Sequence, residues 1–250
     1  MMKLGQDNST LEGGQSKIMV KLYLDPGHGG TDPGATGNGI KEKDINLILA
    51  KKIKEKLLSN YKNIEVKMSR DKDVFISLDA RTKKANSWGA DAFLSIHVNA
   101  SSVPTAKGYA TYIYTNTNAQ TKAFQNVMHG EIIRALSGVN GVEDDGKKQA
   151  NFHVLRESKM TALLTENFFV SNPSDSDKLK NDAILEKIAN GHVNGLAKFF
   201  GLQDAAKPTP KPSTKLYQVV AGSFSERENA EDQIKRLKAD GYDCFIEVRD

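Results

Sequence analysis

This sequence has almost no cysteine and no long apolar segment. Cys244 is the single cysteine among 250 residues, so internal disulfides and a thiolate metal cluster are both excluded. No run of about 18 apolar residues occurs, so we expect no insertion into a membrane. The first residues also lack the apolar core of a secretory signal. We therefore expect synthesis in the cytoplasm, and we interpret residues 1–18 as a flexible leader.

Strongly basic segments with interleaved aromatic residues are missing as well. The formal net charge is +4, and from Lys215 onward six basic and eight acidic residues give −2, which leaves +6 before that point. Such a weak excess does not indicate nucleic acid as a partner. It is compatible with an anionic substrate.

Prolines are few, and three of the seven lie close together in residues 203–214. Alternating prolines prevent a helix and favour an extended, semi-rigid spacer. The sequence therefore predicts a larger domain over residues 19–202, a proline-rich linker over 203–214 and a small C-terminal unit over 215–250.

Strand-like and helix-like segments alternate along the larger domain. The predicted strands are Lys21–Asp25, Ile64–Ser69, Ala92–His97, Gly108–Tyr114 and Ala162–Glu166. The predicted helices are one that begins at Asp44 as N-cap, one near Asp79–Trp88, then Thr121–Leu136 and Leu185–Phe200. This alternation predicts an α/β fold with a mostly parallel, twisted sheet flanked by helices.

The C-terminal unit has the pattern of a single β-α-β motif. Strands are predicted at Leu216–Ala221 and Cys244–Val248, and Ser225 with Glu228 has the spacing of a capping box. The helix between the strands has one apolar face, formed by Ala230, Ile234 and Leu237. About 36 residues are too few to bury a self-sufficient core.

Three chemically important residues end or directly follow predicted strands: His28, His97 and Glu166. Functional sites in parallel sheets form beyond the carboxyl ends of the strands. Each histidine alone has an ordinary explanation as a loop or core residue, and Glu42 alone could be a solvated charge. Glu166 is harder to explain, because an unpaired charge in a buried strand is costly. Two histidines, one carboxylate ligand and one spare carboxylate together indicate a hydrolytic zinc site.

Other catalytic patterns are not matched. The glycine run Gly27-His-Gly29-Gly-Thr-Asp32 fails the dinucleotide-binding pattern at its last position, and no Gly-Lys-Ser/Thr follows. The H-E-x-x-H pattern is absent, and so is the glycine-flanked serine of a nucleophile elbow.

Several motifs resemble the zinc-dependent N-acetylmuramoyl-L-alanine amidases, in particular the sporulation and phage cell-wall enzymes of Gram-positive bacilli. They are Asp25-Pro-Gly-His-Gly-Gly, Asp32-Pro-Gly-Ala, Gly39-Ile-Lys-Glu-Lys-Asp-Ile-Asn-Leu, Ser69-Arg-Asp, Arg81-Thr-x-x-Ala-Asn, Ser95-Ile-His-Val-Asn-Ala and Leu164-Thr-Glu-Asn-Phe-Phe-Val-Ser-Asn. The resemblance implies Zn²⁺ bound by His28, Glu42 and His97, with Glu166 as the catalytic carboxylate. It also implies peptidoglycan as the substrate, and a role as an autolysin or a phage endolysin that meets the wall after release.

The resemblance has two departures. Many family members have glycine two residues after the catalytic glutamate, where this chain has Phe168, so we expect different local packing there. The tail resembles only half of a peptidoglycan-binding SPOR domain, which suggests that two tails associate in a dimer. The roles of Arg70, Arg81 and His153 are left open, whereas His129 and His192 are interpreted as surface or packing residues. The rival hypotheses are a non-catalytic wall-binding protein and a zinc deacetylase of wall glycans.

Overall fold

The computed structural model describes residues 19–205, 221–242 and 244–248. The chain separates into two compact units, Met1–Ala205 and Ala206–Asp250, and each is described by itself. The predicted leader lies outside the described residues, and so do positions 206–214 of the predicted linker. Among the described residues, no helix combines the length and the apolar character needed to cross a membrane.

The first unit is built on a six-stranded sheet. Its strands and helices are, in chain order, β1 (Val20–Pro26), β2 (Thr36–Gly37), β3 (Ile40–Lys41), α1 (Glu42–Asn60), β4 (Ile64–Met68), α2 (Leu78–Trp88), β5 (Ala92–Asn99), β6 (Tyr109–Ile113), α3 (Ala119–Ala135), β7 (Asp144–Gln149), α4 (His153–Arg156), β8 (Thr161–Phe169), α5 (Pro173–Leu179) and α6 (Asp182–Phe200). The strand order is β4-β1-β5-β8-β6-β7. Only the β6–β8 pairing in this sheet is antiparallel, so the predicted, mostly parallel α/β fold is confirmed.

All five strands and four helices predicted for this unit are present, with ends displaced by a few residues. The predicted N-cap is wrong: α1 begins at Glu42 with Lys41 as its N-cap, and Asp44 lies in the first turn. Glu42 and Asp44 still complement the positive end of the helix dipole there. The sequence patterns missed β7, whose residues Asp-Asp-Gly-Lys-Lys-Gln are all polar or glycine, and the short helices α4 and α5.

Apolar residues on the two faces of the sheet form two clusters. The larger cluster packs under α1, α3 and α6, and the smaller one packs under α2 and α4. Leu163 of β8 belongs to the larger cluster, and Leu164 and Phe93 belong to the smaller one. Because successive strand residues face opposite sides, Glu166 and His97 lie on the same face as Leu164 and Phe93. This alternation places both side chains on the α2/α4 face of the sheet.

The chain leaves the first unit through three residues that remain bonded to it. Lys62 donates its backbone N–H to Gln203 O (3.0 Å), and Ala205 donates its own to Asn60 O (2.6 Å). Tyr61 forms an isolated antiparallel bridge with Asp204. The start of the predicted linker is therefore attached to the end of α1.

The second unit contains helix α7 (Arg227–Ala239). Its N-cap is Glu226, which makes no side-chain capping bond, so the predicted capping box at Ser225 is wrong. Ala230, Ile234 and Leu237 are half-buried on a helix that is otherwise mostly exposed, in agreement with the predicted apolar face. Most of the predicted strand at 216–221 lies outside the described residues. The segment Cys244–Val248 is described, but residues 216–220 of the strand expected beside it are not, so both tail strands stay predictions.

Candidate metal centre and active site

His28 lies in a tight turn directly after β1. Its φ of 62° is in the left-handed region, which is uncommon for a residue with a side chain and is found in turns and at functional sites. Such a turn must be held by its surroundings, because its own backbone preference opposes it.

Two buried arginines hold this turn through its carbonyl groups. Arg70 donates to the carbonyl oxygens of residues 26 and 27 at 3.1 and 2.9 Å. Arg81 donates to those of residues 26 and 28, both at 2.8 Å. The two arginines are only 3% and 2% exposed, so their guanidinium groups support the fold of the histidine turn. The sequence left the roles of both arginines open, and these contacts assign them to support of the turn.

Arg81 also forms a buried ion pair. Its Nη1 lies 2.7 Å from Asp25 Oδ1, and Ser95 Oγ donates to the other carboxylate oxygen at 2.9 Å. A buried carboxylate is tolerated when its charge is paired and its lone pairs are hydrogen bonded. Asp25 therefore connects α2 to the end of β1 and to β5.

His28, Glu42 and His97 converge at one point. His28 Nε2 lies 3.1 Å from Glu42 Oε2, and His97 Nδ1 lies 2.8 Å from Glu42 Oε1. One ligand atom from each residue can be chosen so that all three lie within 4.8 Å of one another. Ligand atoms of a tetrahedral zinc site are about 3.3 Å apart, given bonds of about 2.0–2.1 Å. The donor types and the spacing both fit such an ion.

Two side chains of this cluster, His28 and Glu42, are each held by a further partner. Asp32 Oδ2 lies 2.8 Å from His28 Nδ1, the ring nitrogen that faces away from Glu42. Glu42 Oε2 accepts the N–H of Ala35 (2.9 Å), and Oε1 accepts that of Val98 (3.1 Å). A carboxylate on the outer nitrogen of a histidine fixes the tautomer and ring orientation that a metal requires. Asp32 belongs to the Asp32-Pro-Gly-Ala motif, but the sequence alone does not reveal its contact with His28.

The charges of the cluster favour ionised Glu42. Burial raises its pKa, but hydrogen bonds from His28 and His97 outweigh this effect and the pKa lies well below its usual range. Burial lowers the pKa of His28, yet Glu42 and Asp32 raise it to about 9. A metal would have to displace the histidine protons, so its binding would release protons and weaken as the pH falls.

Two glycines leave room for the rings. A Cβ at Gly27 would collide with the ring of His97, and one at Gly34 would lie 2.6 Å from Glu42 Oε2 and 2.7 Å from His28 Cδ2. Gly34 also has a φ of +65°. The two positions thus require glycine because the cluster fills the space around them.

Glu166 lies beside His97, on the neighbouring strand of the sheet. The two residues are register partners in the parallel pairing of β5 with β8. Its Oε2 is buried and has no hydrogen-bond partner among the described residues. Burial raises the pKa of Glu166 to about 7, although the charge of His97 acts in the opposite direction. An unpartnered carboxylate beside a ligand cluster is available to exchange a proton there.

A β-bulge follows Glu166. His97 pairs with Glu166 and Asn99 with Phe169, so β8 has one extra residue in this stretch. Phe168 takes up the irregularity with a φ of 70°, and its side chain is fully buried. A bulge of this kind bends the strand and redirects neighbouring side chains. Phe168, where different local packing was expected, therefore combines a strained backbone with a fully buried ring.

A buried polar chain lies beneath the cluster. His192 Nε2 lies 3.1 Å from Thr165 Oγ1, and Asn167 Nδ2 donates to that same oxygen (3.1 Å) and to His97 O (3.0 Å). His192 is fully buried, its Nδ1 lies 2.8 Å from Ile188 O, and burial lowers its pKa to about 4. These contacts connect α6 to the backbone that carries His97.

The remaining histidines lie outside the ligand cluster. His129 is buried between Thr111 Oγ1 (3.0 Å) and Asp144 Oδ1 (2.8 Å), so it is a packing residue like His192. His153 begins α4, and its Nε2 lies 3.3 Å from Asp79 Oδ1 on α2. That contact links the two helices on the Glu166 face of the sheet.

Both units of the chain resemble known proteins. Residues 22–198 match the family described as N-acetylmuramoyl-L-alanine amidase, and residues 192–246 match the SPOR domain. A sporulation-specific N-acetylmuramoyl-L-alanine amidase of Bacillus subtilis (strain 168) is 43% identical over 232 residues, which cover 93% of this chain and 86% of that protein. An endolysin of Bacillus phage SPP1 is 44% identical over 210 residues, which cover 81% of this chain and 76% of the endolysin.

Solved structures give the same result for the fold. The crystal structure of an N-acetylmuramoyl-L-alanine amidase from Clostridium difficile 630 superposes with a TM-score of 0.70 and 35% identity, covering 73% of this chain and 97% of that one. The catalytic domain of the amidase CwlV from Bacillus (Paenibacillus) polymyxa var. colistinus has a TM-score of 0.69 at 34% identity, covering 74% and 100%. The likeness therefore spans a complete catalytic domain.

Proposed function

The chain belongs to the N-acetylmuramoyl-L-alanine amidase family, and from that premise we propose that it hydrolyses peptidoglycan with a Zn²⁺ ion held by His28, Glu42 and His97. The bond cleaved is the amide between N-acetylmuramic acid and L-alanine. The observation that carries the proposal is the convergence of both histidines on the Glu42 carboxylate, with the free oxygen of Glu166 across the sheet from His97.

The bound ion would act as a Lewis acid and would lower the pKa of a coordinated water, so that this water is a good nucleophile at neutral pH. The residues of the chain hold and orient the groups that bind the ion. Asp32 holds the ring of His28 in place, and the N–H groups of Ala35 and Val98 hold the carboxylate of Glu42. The ligand geometry therefore depends on the turn after β1, on the start of α1 and on the end of β5.

Glu166 acts as the proton carrier. A general base works best when its pKa is close to the operating pH, and burial brings the pKa of Glu166 to about 7. A nearby cation favours the ionised form of a carboxyl group. Ionised Glu166 accepts a proton from the attacking water and then delivers it to the nitrogen of the departing L-alanine.

Glu166→Gln separates proton transfer from metal binding. The variant should keep its metal, because Glu166 is not a ligand, and lose about 10²–10⁴-fold in turnover, the usual contribution of a general base. Metal content is measured by elemental analysis, and turnover by the release of free alanine amino groups from purified peptidoglycan. Near-normal turnover would refute the role of Glu166.

His97→Ala is the matched variant on the ligand side. It should lose metal and activity together, because one of three protein ligands is removed. A fully metallated His97→Ala protein would remove His97 from the ligand set. Histidine 129 provides the control: His129→Ala removes a buried histidine outside the cluster and should retain the metal.

The same digest distinguishes the rival hypotheses. Amidase action releases alanine amino groups, a glycan deacetylase would release acetate, and a wall-binding protein without catalysis would release neither. The family membership favours the first outcome. A digest with a chelator should abolish the release, which tests the need for metal.

The C-terminal unit adds contact with the same substrate. The SPOR match supports peptidoglycan binding by the tail, and the exposed side chains of Phe224, Tyr242, Phe245 and Val248 leave apolar surface available for pairing with a second tail. Sedimentation of the full chain against a version that ends at Ala205 tests such a dimer. Equal, monomeric masses would contradict it.

The relatives named as a sporulation amidase and as an endolysin support action on the cell wall after release.

A further inference from the structure

The edge of the sheet formed by β4 carries a groove that the amidase reaction does not use. Its volume is about 730 Å³. The lining comes mainly from α1, the edge strand β4 and α2, with Lys54 on the first, Lys67 on the second, and Lys84 and Trp88 on the third. Tyr23 of β1 and residues 69–71 after β4 complete it. The groove therefore crosses the sheet edge from one helical layer to the other.

The charge in this groove is almost entirely positive. Lys54, Lys67 and Lys84 form no ion pair among the residues that the structure describes, and Asp71 is the single acid in the lining. The Nζ of Lys67 lies 4.6 Å from the centroid of the Trp88 ring. Like charges gathered without counter-charges repel one another, and an anion in the groove would relieve that repulsion.

Protection of the sheet edge explains only part of this arrangement. A lysine on an edge strand discourages pairing with other strands, and Lys67 alone would serve that purpose on β4. Lys54 and Lys84 lie on the flanking helices, which have no open hydrogen-bonding edge that would need protection. Their side chains line the same groove as Trp88, which points to a ligand.

We propose that this groove binds a phosphodiester-linked anionic polymer of the cell wall. Lysine ammonium groups bind phosphates as point charges, and a polymer with one charge per repeat can contact lysines on three successive elements. Trp88 adds a flat, partly apolar surface against which the carbon atoms of a sugar or polyol can pack. The proposal goes beyond the amidase reaction, since it concerns attachment to a second component of the wall.

The test measures binding of the full chain to insoluble walls in two forms. One preparation retains its phosphodiester-linked polymers, and the other has been stripped of them with hydrofluoric acid. The variant K67E/K84E reverses two groove charges. Its control, K122E/K187E, makes the same charge change on α3 and α6 at two exposed lysines outside the groove. Co-sedimentation on ice in low salt gives the affinities.

Wild type and control should bind the retained walls roughly a hundredfold more tightly than the stripped walls, because a lysine near an anionic surface contributes about fivefold and the groove has three. K67E/K84E should bind both walls with the weaker affinity. Hydrolysis of a soluble muramoyl peptide without phosphate should be unchanged in K67E/K84E, which shows that the variant is folded. That assay also separates a failure of this proposal from a failure of the proposed catalysis.

Three results would overturn the proposal. Wild type could bind both walls equally, which removes the phosphodiester polymer as ligand. The control could lose as much affinity as K67E/K84E, which attributes binding to overall charge. K67E/K84E could bind retained walls like wild type. If K67E/K84E proves unfolded, K54E/K84E repeats the test without a change on the edge strand, and the same outcomes apply.

Discussion

Phe168 provides a direct test of strain next to Glu166. Its φ of 70° is unfavourable for a residue with a Cβ by about 1–2 kcal/mol, while its fully buried ring stabilises the fold. Truncation to alanine removes the ring, at a cost of about 3–5 kcal/mol, but keeps the Cβ in the left-handed region. Truncation to glycine removes the ring and relieves the strain.

The two truncations should therefore differ in an unusual direction. Glycine is normally less stable than alanine within a strand by about 0.5–1 kcal/mol. At position 168 the relief of strain outweighs this cost, so Phe168→Gly should be more stable than Phe168→Ala by about 1 kcal/mol. At Phe93, a fully buried phenylalanine in β5 without a positive φ, alanine should be the more stable truncation.

Urea unfolding of the four variants measures the free energies of unfolding. The glycine cost applies at both positions and cancels, so the alanine-to-glycine difference should change by the strain alone, about 1–2 kcal/mol, between positions 93 and 168. The comparison within each position cancels the loss of the ring, so the result does not depend on how well each cavity relaxes. If glycine is the less stable truncation at position 168 as well, the argument that Phe168 is strained is refuted.

Three further predictions concern residues around the cluster. Asp32→Asn should weaken metal affinity by about 10–100-fold through the looser ring of His28; unchanged affinity in a competition titration with a chelator would contradict this. Burial lowers the pKa of His192 to about 4 in the folded protein, so the unfolded chain is protonated first and the free energy of unfolding should fall as the pH drops from about 6.5 to 4. In urea unfolding, His192→Gln should lose roughly 3 kcal/mol less of its free energy of unfolding over that range. Arg81→Met should cost about 3–5 kcal/mol, because Asp25 is left buried without its partner; adding Asp25→Asn should restore part of this loss, and simple additivity would show that the pair is not coupled.

Much of the fold could be predicted from local patterns. The strand that precedes His28 and the strands that carry His97 and Glu166 are short apolar segments with polar residues at their ends, and the buried core confirms them. The polar strand β7 could not be predicted in this way, because its position comes from pairing with β6 and not from its own composition. The same holds for the start of α1, which the contacts of Glu42 place two residues before the expected N-cap.

Residue types and their positions along the chain are enough to indicate which residues can bind a metal, and that the ends of parallel strands bring them to one edge. How these residues are held follows from contacts between distant segments. Arg81 lies 53 positions from the carbonyl of His28 that it binds, and Asn167 lies 70 positions from that of His97. No local pattern encodes such contacts, because they arise from packing among distant segments. The strain at Phe168 has the same origin, since the register of two strands sets the bulge that this residue must occupy.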